Sequence, residues 1–341
     1  MSLDSVIKDL NKKIKEDVVT VGLPSYDYKK IQFTSPRMNY MTYGGLPIGK
    51  IIEFFGEEHG GKTTTALDII ANYQRMEDAR KVIYIDAENT LDVRWAEKLG
   101  VNVNDIIVFK PTSQSAEEIF QFILDAVDTG EVGLWVLDSI GVLASKKELE
   151  NSMEDKTYAG ISAALTIFGR KAEMIMQRHR CTGIGINQIR DDLNAMWSGA
   201  IKTPGGKAWK HYCSARMQFS KGKYINADGD ELTRSAESPA GNYVLVSMEK
   251  NKFCPPNRRT GYYTLNYEFG IDYLNDLIDV AIRYDIVQKS GAWFSIVNPD
   301  TGEVIEKLQG KRKVYDYLND IGNEKVLKIV EDYINSFINM D

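Results

Sequence analysis

Five short apolar runs in the first two thirds of the chain do most to limit how it can fold. They are KIIEFF (50–55), KVIYID (81–86), IIVF (106–109), GLWVLD (133–138) and TGIGIN (182–187). Each is of strand length, and apolar residues scarcely alternate with polar ones. A strand that is apolar on both sides must be covered on both sides, which is the condition of a parallel sheet with crossover helices. The intervening sequence supplies the helices. TTTALDIIANYQRM (63–76) and ISAALTIFGRKAEMIMQRH (161–179) have the length and pattern, and Ser115 with Glu118 three residues on forms a capping-box pattern. The expectation is an α/β fold with a mostly parallel central sheet flanked by helices.

The pattern changes after about residue 205. ARMQF (215–219), YVLVSME (243–249) and YYTLNY (262–267) are strand-like with polar turns between them, as in an antiparallel extension at the sheet edge. From Tyr273 onward the chain is helical again, with GAWFSI (291–296) as a short strand, which suggests a small α+β C-terminal domain. At the other end Val6, Leu10 and Ile14 recur at helical spacing and VVTVGL (18–23) is strand-like, giving a short N-terminal helix–strand segment. The expected division is 1–30, 31–269 and 270–341.

Composition excludes several classes. No apolar run among the 341 residues approaches the roughly 18 needed to span a bilayer, so no membrane partner is expected. The opening MSLDSVIKDLNKKIKED lacks the apolar centre of a secretion signal. Three distant cysteines, 181, 213 and 254, make neither a disulfide framework nor a zinc site. Together these features predict a cytoplasmic protein. A net charge of −6 argues against a surface coated in positive charge, yet leaves room for a basic groove or loop.

Between the first apolar run and the first helix lies GEEHGGKT, a complete G-x-x-x-x-G-K-T. The stretch Gly56-Glu57-Glu58-His59-Gly60-Gly61-Lys62-Thr63-Thr64 can curl its backbone N–H groups around phosphate oxygens at a helix N-terminus. Lys62 can reach the β- and γ-phosphates, and Thr63 can ligate Mg²⁺. Asp138, at the carboxyl end of a neighbouring run, is the matching carboxylate for that ion. A nucleoside triphosphate, ATP or GTP, with Mg²⁺ is thus the expected ligand. Glu88, after YIDA, is the candidate to orient or deprotonate an attacking water. Asn187-Gln188 ends another run. By itself such a pair more often caps or turns than senses a γ-phosphate.

The ordered set GEEHGGKTT, VIYIDAEN with LDVRWAEKLGV, LWVLDSIGVL, GIGINQIR, TPGGKAWKHYCSAR, MEKNK and DLIDVAIRYDIVQKSGAWFS resembles the bacterial and phage RecA-family homologous recombinases, from about residue 44 to near 335. The resemblance implies a RecA-type P-loop ATPase core. It also implies a helical filament of this chain on single-stranded DNA, able to close into rings, which pairs and exchanges strands with homologous double-stranded DNA. Single-strand-binding and loading proteins are the implied accessory partners. Carried over, Glu88 resembles the water-activating glutamate, and Glu58 the acidic residue of the phosphate loop. Asp92 and Trp95 match adenine-contacting positions, and Gln188 the glutamine that couples the γ-phosphate to the DNA loop. Lys250 and Lys252 match lysines that reach the ATP of the neighbouring subunit. Without the resemblance they read as two alternate lysines on an exposed strand.

DNA contact is expected from two loops, roughly 150–160 and 189–207. In the second, Arg190, Lys202 and Lys207 suit phosphates, and Gly205 and Gly206 allow close approach. Leu193, Met196 and Trp197 can wedge or stack against bases. Arg170 and Lys171 can add phosphate contacts or simply form a solvated helix face. Asp191 and Asp192 depart from the pattern by placing negative charge in the DNA loop, and Ala164 stands where the bacterial proteins often have a basic residue. The ending FINMD lacks a long acidic tail, so tail-based autoinhibition is not expected. The N-terminal segment is expected to pack on the adjacent subunit. Two other functions share parts of the pattern: a hexameric RecA-fold helicase motor, and a non-catalytic ATP-binding recombination mediator.

Overall fold

The computed structural model describes residues 2–14, 29–152, 160–191, 201–227, 229–233 and 235–338. The strand expected at 18–23, most of the first loop, and Asp192, Leu193, Met196 and Trp197 lie outside the described residues.

Nine strands form the spine of one large sheet: β1 Ile51–Gly56, β2 Lys81–Asp86, β3 Ile106–Phe109, β4 Val132–Asp138, β5 Thr182–Gln188, β6 Ala215–Ile225, β7 Gly241–Asn251, β8 Thr260–Asn266 and β9 Gly270–Ile271. Their spatial order is β9-β8-β7-β6-β1-β5-β4-β2-β3, with Glu231–Leu232 paired beside β6. From β6 across to β3 every pairing is parallel, and from β6 outward to β9 every pairing is antiparallel. The first late strand therefore differs from expectation. β6 is not purely an antiparallel addition, because it runs parallel beside β1, with Ala215 opposite Ile52 and Phe219 opposite Gly56. Helix Gly206–Tyr212 returns the chain to the amino end of the sheet, and that return makes the parallel pairing possible.

The apolar runs do what their lack of alternation demands. Ile52, Phe54, Val82, Tyr84, Leu134 and Val136 belong to one buried core, while Ile51, Ile83, Ile85, Trp135 and Leu137 belong to another. Successive residues of one strand thus enter opposite layers, following the two-residue period of the pleat. Helix Lys62–Gln74 covers the first face, and helices Ala116–Asp128 and Ser162–Arg178 contribute to the second. The capping box holds, since Ser115 Oγ accepts from Glu118 N and the Glu118 carboxylate accepts from Ser115 N at 2.8 Å. At the N-terminus the expected helix spans Leu3–Ile14.

A third core begins at Leu274 and joins helices Tyr273–Arg283, Lys311–Asn319 and Glu324–Ile338 to a three-stranded antiparallel sheet. Two of its strands, Val287–Ser290 and Val304–Gln309, were not expected. VQKS and VIEKLQ show no regular alternation of apolar and polar residues, so their pairing with Trp293–Val297 defines them. No described helix is long and apolar enough to cross a membrane.

One buried acid gives the fold a measurable pH dependence. Asp68, 1% exposed, accepts from Thr34 N and Asn72 Nδ2, each at 3.0 Å. Burial pushes its carboxyl up to about 6. A raised acid costs nothing below its unfolded value, and the penalty grows until pH passes the folded value. Between pH 4 and pH 7 the wild type should therefore lose up to about 3 kcal/mol relative to Asp68→Asn. Urea midpoints of the two proteins across that range test this, and a constant difference would contradict it.

Candidate nucleotide and DNA site

The carboxyl ends of β1, β2, β4 and β5 open onto a cavity of about 820 Å³. This is where open α/β sheets bind ligands. β1 delivers the chain into the glycine-rich turn. A side chain at Gly56, where φ is 149°, would strike the Phe219 carbonyl of β6, and Gly61 at φ 94° opens helix Lys62–Gln74. Glycine is required at Gly56 because the β6 backbone passes so close, and at Gly61 because its φ is positive and a side chain would come within 2.8 Å of the Val244 side chain. Glu58, His59, Gly60, Gly61, Lys62, Thr63 and Thr64 all line the cavity. Gly56 and Glu57 act through their carbonyls, which accept from Lys62 Nζ at 3.1 and 2.5 Å. Burial lowers the Lys62 ammonium pKa, and the carboxylates of Asp138 and Glu88 oppose that shift.

Two carboxylates face this ammonium and are held differently. Asp138 Oδ2 accepts from Thr63 Oγ1 at 2.7 Å and from Tyr84 OH at 2.8 Å. Burial raises the Asp138 carboxyl, against the pull of those two hydrogen bonds. Glu88 Oε1 accepts from Gln188 Nε2 at 3.1 Å and also from Ser139 Oγ. The candidate base and the candidate sensor, 100 residues apart in sequence, are thus bonded to each other.

The donor set suits Mg²⁺. A threonine hydroxyl already in hydrogen-bond contact with a buried carboxylate offers hard oxygen ligands at a phosphate cradle, and Mg²⁺ characteristically takes one or two protein oxygens plus phosphate and water. Among the described residues no cluster of three or more His, Cys, Asp or Glu would hold a metal alone.

At the far wall Asp92 caps helix Val93–Lys98, accepting from Trp95 N at 3.1 Å, and the Trp95 indole donates to Thr64 Oγ1 at 3.3 Å. Both residues line the cavity, with the Trp95 ring half-buried against the first core. Sequence reasoning missed Tyr84, Lys221, Asn242 and Tyr267. The last three also line the cavity, with Tyr267 OH donating to Asn242 Oδ1 at 2.7 Å. They come from β6, β7 and the turn after β8, and no local motif marks them.

Lys250 and Lys252 lie elsewhere. Arg216 of β6 stands between Lys250 on one side and Glu53 on the other, three residues short of Gly56 along the sheet. That is roughly 10 Å of strand. Neither lysine lines the cavity of its own chain. Lys250 Nζ donates to the Lys210 and His211 carbonyls at 2.5 and 2.8 Å, and Lys252 Nζ lies 3.4 Å from the latter. Burial lowers the Lys250 pKa, and Lys252 beside it adds to the effect.

The second loop leaves and returns through a short antiparallel pair, with Arg190 opposite Lys202. Both side chains are exposed, although the Arg190 guanidinium also donates to Gly141 O at 3.2 Å. Lys207, Arg170 and Lys171 are exposed as well. Gly205 answers a packing demand. Its φ is 101°, and a side chain there would come within 2.8 Å of Leu165. Gly206, at φ 72°, starts the helix that follows. Ala164 is buried in the second core, which accounts for the absence of a charge at that position.

Two family models match the chain: the RecA N-terminal domain over residues 2–272 and the RecA C-terminal domain over residues 275–339. Curated relatives agree. A protein RecA of Clostridium perfringens is 36% identical over 293 residues, covering 85% of this chain and 77% of the relative. A protein RecA of Rickettsia canadensis is 34% identical over 333 residues, covering 96% and 91%. One of Bacillus licheniformis is 34% identical over 300 residues, covering 87% and 80%.

Proposed function

The chain belongs to the RecA family, and on that basis we propose how its residues divide the work of an ATP-driven homologous recombinase. The protein is a DNA-dependent ATPase of recombination and repair that binds DNA and forms filaments. The helicase and mediator alternatives are not favoured.

The observation that best supports the residue assignment is the hydrogen bond between Glu88 and Gln188 at the edge of the nucleotide cavity. Glu88 takes a proton from, or orients, the water that attacks the γ-phosphate. Gln188 senses that phosphate and passes the signal to the second loop, which begins at the next residue. Lys62 and the loop amides hold the phosphates, and Asp92 and Trp95 hold the adenine. Thr63 and Asp138 hold Mg²⁺, which when bound neutralises charge on the β- and γ-phosphates. Lys250 and Lys252 complete the site of a neighbouring subunit, so positive charge reaches the transferring phosphoryl only within a filament.

Arg190, Lys202, Lys207, Arg170 and Lys171 meet DNA phosphates, and Leu193, Met196 and Trp197 meet bases. Residues 1–30 pack on the adjacent subunit, 31–269 form the motor with its DNA loops, and 270–341 the C-terminal domain. The working compartment is the bacterial cytoplasm, or that of the host cell for a phage-borne chain, with single-strand-binding and loading proteins as accessory partners.

The test is ATP hydrolysis with and without single-stranded DNA, followed by strand exchange with a homologous duplex. Stimulation together with joint molecules is expected. The absence of both would overturn the reading.

A further inference from the structure

The strand that feeds the phosphate loop carries one charged residue in its interior. Glu53 is 0% exposed. Its Oε1 accepts from Asn187 Nδ2 at 2.9 Å and from Trp209 Nε1 at 3.1 Å. Its Oε2 accepts from Arg216 Nε, and the Arg216 guanidinium also lies over the Phe55 ring, 4.4 Å from its centroid. A buried ion pair is a poor way to gain stability, since apolar residues of similar volume commonly do as well or better. A pair kept at such a position invites a role beyond holding the fold.

Each donor to Glu53 belongs to a different part of the machinery. Asn187 Oδ1 accepts from the Gln188 backbone at 3.1 Å, while its Nδ2 also donates to Pro204 O at 3.0 Å, on the returning end of the second loop. Trp209 sits on helix Gly206–Tyr212, and two late carbonyls of that helix hold Lys250 Nζ. Arg216 Nη2 reaches Thr203 Oγ1 at 3.4 Å, and Arg216 is Lys250's partner in the sheet. The packing around these groups has little slack. A Cβ added at Gly185 would approach the Trp209 ring to 2.8 Å, and Thr203 is buried. In a close-packed, low-dielectric setting, moving one member of such a network strains the others.

We propose that Glu53 is a positioning residue that couples the returning end of the second DNA loop to Gln188 on one side and to the helix holding Lys250 on the other. DNA seated on the loop displaces Thr203 and Pro204. Asn187, Trp209 and Arg216 carry the change through one carboxylate to the γ-phosphate sensor and to the lysine serving the neighbouring subunit. The proposal rests on the recombinase reading above and adds the residue that links its parts.

The test uses the full chain at saturating ATP, with and without a mixed-sequence single-stranded oligonucleotide. Wild type is compared with Glu53→Gln and with Glu53→Met/Arg216→Met, which removes both charges together. The double variant should keep most of the DNA-free rate, although its thermal midpoint should fall because the buried Trp209 Nε1 loses its acceptor. Its ratio of DNA-stimulated to DNA-free hydrolysis should fall at least about fivefold, the low end of measured couplings between sites. Glu53→Gln keeps the oxygen that Asn187 and Trp209 donate to but leaves the Arg216 guanidinium without its carboxylate, so its ratio should also fall, at least about twofold. If the double variant does not fold, Glu53→Gln is read alone. A wild-type ratio in the folded variants overturns the proposal, and so does a parallel loss of both rates, which would mark a purely structural pair. A wild-type chain that DNA does not stimulate overturns the recombinase reading, and this inference with it.

Discussion

Glu88→Gln should bind ATP about as tightly as the wild type and hydrolyse it about 10²–10⁴-fold more slowly, the usual worth of a positioned base. The substitution is conservative in geometry. Glu88 Oε1 accepts from Gln188 and Ser139, and a glutamine oxygen can accept the same two bonds. What disappears is the negative charge and with it the capacity to take a proton from water. Binding should be spared because the phosphate cradle rests on the loop amides, Lys62 and Thr63. Equilibrium nucleotide titration and DNA-stimulated phosphate release measure the two halves separately. Turnover within about twofold of wild type would remove Glu88 from the chemistry and revive the mediator reading.

Lys250→Ala and Lys252→Ala should each lower DNA-stimulated hydrolysis by about 10²-fold or more, as expected when a charge on the transferring phosphoryl is lost. Nucleotide binding by the isolated monomer should hardly change, because neither lysine lines its own chain's cavity. A mixing experiment makes the test sharper. Lys62→Ala subunits have a crippled phosphate loop but intact lysines, and Lys250→Ala subunits have the reverse. Co-assembled on DNA, they should regain part of the activity that each lacks alone, since some interfaces pair a sound loop with a sound lysine. A mixture no more active than the sum of its parts, or loss of monomer binding in the lysine variants, would place the lysines within their own subunit's site.

Much of the candidate nucleotide site was legible because its determinants are local. A glycine-rich turn between strand and helix needs its glycines within a few residues, and Lys62 and Thr63 follow as the first residues of helix Lys62–Gln74. The strand-end carboxylates Glu88 and Asp138 were visible for the same reason, because a parallel sheet sends all its carboxyl ends to one edge. Tyr84 was hidden inside an apolar strand, where an aromatic ring ordinarily means packing, and only the fold shows its hydroxyl on Asp138. Two of the three C-terminal strands were missed because VQKS and VIEKLQ mix apolar and polar residues without the alternation that marks a strand.

The sequence by itself determined the strand–loop–helix at residues 51–74, the two-sided burial of the central strands and the family. These depend on neighbours in the chain and on the two-residue period of a strand. Only the tertiary structure decided that β6 lies parallel to β1. That one pairing carries Arg216 to Glu53, holds Lys250 away from its own cavity, and lets β6 and β7 bring Lys221 and Asn242 to the cavity wall. Glu53 shows the difference most plainly. In KIIEFF it is a lone acid in an apolar run, and its meaning comes from donors 134, 156 and 163 residues away. Contacts across such separations depend on chain topology and register, which no local pattern of residues encodes.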